Sequence, residues 1–209
     1  MKRHASQVNS DDANVPKAAP PIATNDDLNA ILRQYQTAEF LAIDTEFLRE
    51  RTYYPQLCLI QISDGVDAVA IDPLAPNLDL NPLWDWMRNQ NITKVFHAGN
   101  QDMEIFLHLM GSLPEPIYDT QIAAMVCGLG DQVGYDKLVK AMLDHDIDKT
   151  SRFTDWSKRP LSNRQIVYAL DDVIYLAKLY PLMRSKLKTE NRSHWLDEEY
   201  AKSNDPETY

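Results

Sequence analysis

Two carboxylates stand two residues apart in AIDTEF, Asp44 and Glu46, inside the run FLAIDTEFLRE. The run reads as a β-strand, in which side chains alternate, so both acids share one face. Like charges held that close repel, and a strand gains nothing from pairing them without a counter-charge. Two further acids look placed for chemistry. Asp102, in HAGNQDMEIF, falls in the first turn of a helix that follows a strand. Asp172 lies four residues after Tyr168 in the last long helix, so the two side chains share a face. Ile166, Leu170, Val173, Ile174 and Leu176 run beside Asp172, and an acid that borders a buried stripe needs a partner.

Four carboxylates from three segments, with no His or Cys at ligand spacing, suit hard oxygen-preferring cations such as Mg2+ or Mn2+. Two such ions about 3.5–4 Å apart form an arrangement used for phosphodiester cleavage, one activating water and the other stabilising the leaving oxygen. A Tyr168 hydroxyl one helical turn from a ligand is placed to orient that water. Each residue alone has a blander reading. A lone DxE is an exposed strand face, Asp102 could merely complement a helix dipole, and Tyr168 could be a core aromatic.

The elements that must position these residues follow from pattern. TNDDLNAILRQY opens a helix with Thr24 or Asn25 as N-cap. EFLAIDTEF, QLCLIQIS and VDAVAID are strands, the last two joined by an Asp64-Gly65 hairpin turn. LNPLWDWMRNQ is a helix, TKVFHA a strand, and Asn100–Leu109 a helix stopping at Gly111. PIYD is extended; TQIAAMVCG and GYDKLVKAMLD are helices, the former capped by Asp119 or Thr120. The final helix starts at Ser162, with Pro181 expected to kink or restart it. Strands followed by helices alternating with short strands give an α/β fold with a mixed sheet.

At 209 residues, with 44% apolar and 25% charged side chains, the chain suits one soluble domain. A net charge of −10 argues against a non-specific coat for DNA or membrane, though bound cations reverse the sign of a site locally. The two cysteines, Cys58 and Cys127, sit in apolar runs and read as free thiols without a disulfide partner. No apolar run is long enough for a membrane span, and no signal peptide is evident, so a cytoplasmic location is expected. Residues 1–22 read as a disordered leader, 23–190 as the working domain and 191–209 as an acidic tail or helix.

DTEF, RTYYPQLCLIQI, ITKVFHAGNQDMEIF, DTQIAA, DWSKRPLSNRQ and Tyr168-Ala169-Leu170-Asp171-Asp172 together resemble ribonuclease D, a branch of the DEDD 3′–5′ exonucleases with Tyr in the last motif. The resemblance runs from about residue 24 to 190. It implies a ribonuclease-H-like sheet of five to six strands flanked by helices. It also implies two divalent cations on Asp44, Glu46, Asp102 and Asp172, with Tyr168 orienting the water. The implied reaction is release of 5′-mononucleotides from the 3′ end of RNA, single-stranded or a tRNA precursor tail. Family members usually continue into helical C-terminal RNA-binding domains, and none is expected within these 209 residues, so substrate preference stays open between RNA, single-stranded DNA and short oligonucleotides. A non-catalytic RNA-binding domain is the alternative from a different class, and oligomeric state is not readable.

Candidate nucleic-acid contacts come from the basic segment 149–164, which sets Lys149, Arg152, Lys158, Arg159 and Arg164 against Asp155. Phe153 or Trp156 could stack a base there. Arg49 and Arg51 follow Glu46 closely, and His97 ends a strand near Asp102; a structural histidine is the simpler reading. Asp144-His145-Asp146-Ile147-Asp148 imitates a calcium loop, but Lys149 replaces its glycine and Asp155 its bidentate Glu, so it is rejected.

Overall fold

Five strands form one sheet in the order β3-β2-β1-β4-β5: β1 (Phe40–Leu48), β2 (Gln56–Ser63), β3 (Ala68–Ile71), β4 (Thr93–Phe96) and β5 (Ile117–Asp119). β1, β2 and β3 pair antiparallel, with Asp44 opposite Gln61. β4 and β5 continue parallel from β1, with Ala42 opposite Val95. The mixed sheet, expected with five to six strands, is present with five among the described residues of this computed structural model, which describes residues 15–49, 53–203 and 206–209.

Alternation along β1 sends Leu41 and Ile43 into one core and Ala42 into the other. The first core packs beneath α1 (Asn25–Gln34), α2 (Asn81–Met87) and α3 (Asn100–Met110). The second lies under α4 (Thr120–Val126), α5 (Tyr135–Leu143), α6 (Asn163–Thr189) and α7 (Trp195–Ser203). The site-bearing β1 is thus central and covered on both sides, which fixes its register firmly.

Local signals place the helices. The Thr24 hydroxyl accepts from the Asp27 amide to cap α1, and α3 stops at Gly111, whose φ of 71° is left-handed. Ser162 and Gln165 close a reciprocal capping box at the start of α6. Of the two outcomes expected at Pro181, a kink or a restart, the restart does not occur: α6 is one helix to Thr189. Leu179, Tyr180, Met183 and Leu187 are buried on both sides of the proline, so tertiary packing holds the helix through it.

Residues 15–22, expected to belong to a disordered leader, pack against the domain. Residues 1–14 lie outside the described residues. The Ile22 amide donates to Ala70 O at 2.7 Å and the Asp72 amide to Ile22 O at 2.9 Å. The Asn163 side chain bonds the Ala18 amide and Pro16 carbonyl. Paired backbone and one apolar anchor outweigh the polar composition there.

Lys94 on β4 is fully buried. Its Nζ donates to the carbonyls of Asn89 (2.6 Å), Ile92 (2.8 Å) and Glu115. Burial lowers its pKa to about 8, and the three carbonyls explain why the cation is tolerated.

Candidate metal centre and nucleic-acid cleft

Strand alternation puts Asp44 and Glu46 on the α6 side of β1 and Thr45 on the α3 side. Immediately after Glu46 the β1–β2 register shifts, a bulge that re-aims the strand end where it leaves the sheet. From α6, Tyr168 and Asp172 project toward the same point. Tyr168 stands near the Asp172 carboxylate and eases its charge, and the Tyr135 hydroxyl of α5 donates to the Asp172 carbonyl, fixing this turn of the helix. Carboxylate oxygens of Asp44, Glu46 and Asp172 lie within 4.8 Å of one another, the only such group among the described residues.

Asp102 arrives from the opposite layer. It is buried, and the Thr45 hydroxyl donates to its Oδ1 at 2.5 Å. The fourth acid is thereby docked on the residue between the first two, beside the three-acid group. Asp119 builds the turn that delivers it. The carboxylate of Asp119 accepts from the amides of Ala98 (3.0 Å), Gly99 (2.9 Å) and Gln121 (2.7 Å), bracing the β4–α3 turn and capping α4 at once. Ala98 sits at φ 54°, a conformation an alanine holds only where surroundings impose it. A Cβ on Gly99 would stand 2.9 Å from the Phe96 Cβ, so only glycine fits.

All four carboxylates are pushed upward, first by burial and, for Glu46, Asp102 and Asp172, next by repulsion from Asp44. Asp102 and Asp172 both reach about 8. Such a cage without a cation holds protons at neutral pH. Oxygen-only donors, close together and electrostatically frustrated, fit a hard divalent ion.

The cage floors an open cleft of ≈ 600 Å³ whose rim includes Arg49, Gln101, Arg152 and Phe153. A second hollow of ≈ 380 Å³ shares Asp44, Tyr168 and Asp172 with it and extends past His97, Tyr135 and Lys149. His97 gives its Nδ1 to a 3.0 Å contact with Thr120 Oγ1, and burial lowers its pKa. Arg49 reaches the rim while forming a two-pronged pair with Glu104 at 2.8 and 3.0 Å. Arg51 lies outside the described residues.

The basic segment divides. Arg152 and exposed Phe153 reach the cleft, with the guanidinium 5.4 Å from the ring centroid. Arg152 is also the cation that eases the charge on Glu46 and Asp172. Lys149 lines the second hollow, while the other expected contacts of the segment are engaged elsewhere. Trp156 is only 2% exposed and packs in the core with Cys58, Ala70 and Ala169, its ring 6.1 Å from that of Tyr168, so it supports the tyrosine instead of stacking a base. Arg159 spends all five N–H groups inside the protein, two on Asp72 and the rest on the carbonyls of Cys58, Trp156 and Lys158. Lys158 pairs with Asp155 and Arg164 with Asp148, both off the cleft. Thr45, Asp119 and Tyr135 were not singled out from sequence as site residues. The only sequence signals for the first two are their places in the DTE and DTQ motifs.

A protein-family model described as a 3′–5′ exonuclease matches residues 20–188. The chain is 52% identical to ribonuclease D of Jannaschia sp. (strain CCS1) over 192 residues, 90% of this chain and 50% of that one. It therefore spans about half the length of the curated relatives it matches. Among solved structures, Escherichia coli RNase D, described as an exoribonuclease involved in structured RNA processing, superimposes with TM-score 0.82 at 39% identity. That match covers 89% of this chain and 48% of that one. Brucella melitensis NrnC bound to pGG superimposes with TM-score 0.73 at 31% identity, covering 82% of this chain and 83% of that one; NrnC has also been solved with bound Mg2+.

Proposed function

The chain belongs to the 3′–5′ exonuclease family, and from that premise we propose that it is a metal-dependent 3′–5′ exoribonuclease. It releases 5′-mononucleotides from RNA 3′ ends, in the processing of tRNA or other structured RNA, in the cytoplasm. The observation that carries this reading is the convergence of Asp44, Glu46 and Asp172 within 4.8 Å, with Asp102 one residue away on Thr45. The likeness to E. coli RNase D supports RNA as the substrate.

Asp44, Glu46, Asp102 and Asp172 would hold two divalent ions, Mg2+ or Mn2+. Bound there, the pair supplies an activated water and stabilisation of the leaving oxygen. The chain's own groups do the rest. Tyr168, beside Asp172 in the cleft wall, orients the attacking water through its hydroxyl. Arg152 meets the phosphate from the rim, where its charge already acts on Glu46 and Asp172. Phe153 is exposed for a base to stack on.

A second reading, cleavage of short oligonucleotides or single-stranded DNA, is favoured by the match to NrnC bound to pGG over most of both chains. The carboxylates read only phosphate and leaving oxygen, so sugar selectivity must come from elsewhere. A purely RNA-binding role leaves the mutually repelling acids without purpose.

The test is hydrolysis of 5′-labelled single-stranded RNA, matched DNA and a dinucleotide, in Mg2+, Mn2+ or EDTA. A ladder shortening from the RNA 3′ end, abolished by EDTA, is expected. Shortening from the 5′ end, or equal activity in EDTA, overturns the proposal; preference for the dinucleotide or DNA selects the second reading.

A further inference from the structure

Tyr53 is 85% exposed at the start of the described part of the β1–β2 connection. It meets Tyr54 edge-on, with ring centroids 4.9 Å apart at 84°. Tyr54 in turn lies flat on His108 of α3, at 3.9 Å and 11°. Buried Pro55 follows directly, and a proline restricts the residue before it to extended backbone. The pair of tyrosines is therefore held from beneath by a helix and from behind by a rigid chain.

This aromatic surface is continuous with the cleft. Gln101, Glu104 and His108 fall at i, i+3 and i+7, one face of α3. Gln101 lines the cleft, and Glu104 grips Arg49, which lines it too. His108 is six residues beyond Asp102, about 9 Å along the helix axis. Successive nucleotides of one stacked strand advance about 3.4 Å along its axis, so this length of α3 corresponds to two to three nucleotides.

We propose that Tyr53 and Tyr54, backed by His108, form a ledge on which unpaired bases of single-stranded RNA stack two to three nucleotides from the reacting phosphate. The inference deepens the exonuclease reading and rests on it. Stacking suits every base, because each has a π-face, so the ledge adds length-dependent affinity without sequence preference. Arg49, between cage and ledge, is placed to meet the intervening backbone.

The test measures binding by fluorescence anisotropy, in Mg2+, of labelled octa-adenylate and di-adenylate. An Asp44→Asn background protects both from cleavage, and Tyr53→Ala or Tyr53→Phe is added to it. Tyr53→Ala should weaken octamer binding by about tenfold, leave the dinucleotide unchanged, and be rescued by Tyr53→Phe. If the octamer does not respond, or both lengths weaken together, the ledge is wrong and the rings serve another partner or none. Cleavage by the protein with Asp44 intact is assayed alongside. An inactive protein whose octamer binding still depends on Tyr53 overturns the nuclease reading and leaves the ledge standing.

Discussion

Thr45 donates its hydroxyl to Asp102 at 2.5 Å while its chain neighbours Asp44 and Glu46 face the opposite layer. One strand thus organises acids on both of its faces. Thr45→Val should strip a buried carboxylate of its side-chain donor and lower stability by about 1–3 kcal/mol in urea unfolding. Exonuclease activity should fall about tenfold, since Asp102 loses its mooring. Thr45→Ser should retain both. Full activity in Thr45→Val would show that Asp102 is positioned without it.

The raised carboxylate pKa values predict a pH-dependent stability with a definite sign. Asp102 and Asp172 titrate near 8 when folded and metal-free, against about 4 unfolded. Between those values the folded state binds more protons, so stability falls as pH rises. Urea unfolding in EDTA should give a lower midpoint at pH 7.5 than at pH 5.5. Mn2+ should raise the pH 7.5 midpoint most and release protons on binding. A midpoint that climbs across this window in EDTA would refute the frustrated cage.

Much of this site was legible before any coordinates, and for identifiable reasons. Asp44 and Glu46 follow from strand alternation, and Tyr168 with Asp172 from helical spacing, because both are local periodicities. What stayed hidden depends on contacts distant in sequence. Arg159 finds Asp72 87 residues away, and Asp119 holds the Ala98 amide across 21. Trp156 reads as a surface aromatic in a basic loop until the fold buries it beside Tyr168. The docking of residues 15–22 was missed because an edge partner for Ile22 is invisible in a polar, proline-rich leader.

That division within the basic segment can be checked by kinetics. Arg152→Ala should raise KM for RNA about tenfold through loss of a phosphate contact, with its effect shrinking at high salt. Lys158→Ala should leave KM unchanged. Arg159→Ala should instead lower the unfolding midpoint by breaking the links to Asp72 and Cys58, on the order of 2–4 kcal/mol. Equal KM increases from all three would restore the whole segment as a binding surface.

Tyr168→Phe separates chemistry from metal binding. The ring packs on, but the hydroxyl that would orient water is gone, so kcat should fall about 10²-fold. Calorimetric Mn2+ affinity should stay within about twofold, because the four ligands remain. A matching loss of metal binding would reassign the tyrosine to holding Asp172.

The central claim is that Asp44, Glu46, Asp102 and Asp172 form a two-cation cage. Crystals soaked in Mn2+ and measured for anomalous scattering test it most directly. Two peaks about 3.5–4 Å apart, with Asp44 oxygens touching both, are the predicted result. No peak between these side chains, or ions bound without Asp44, would contradict it.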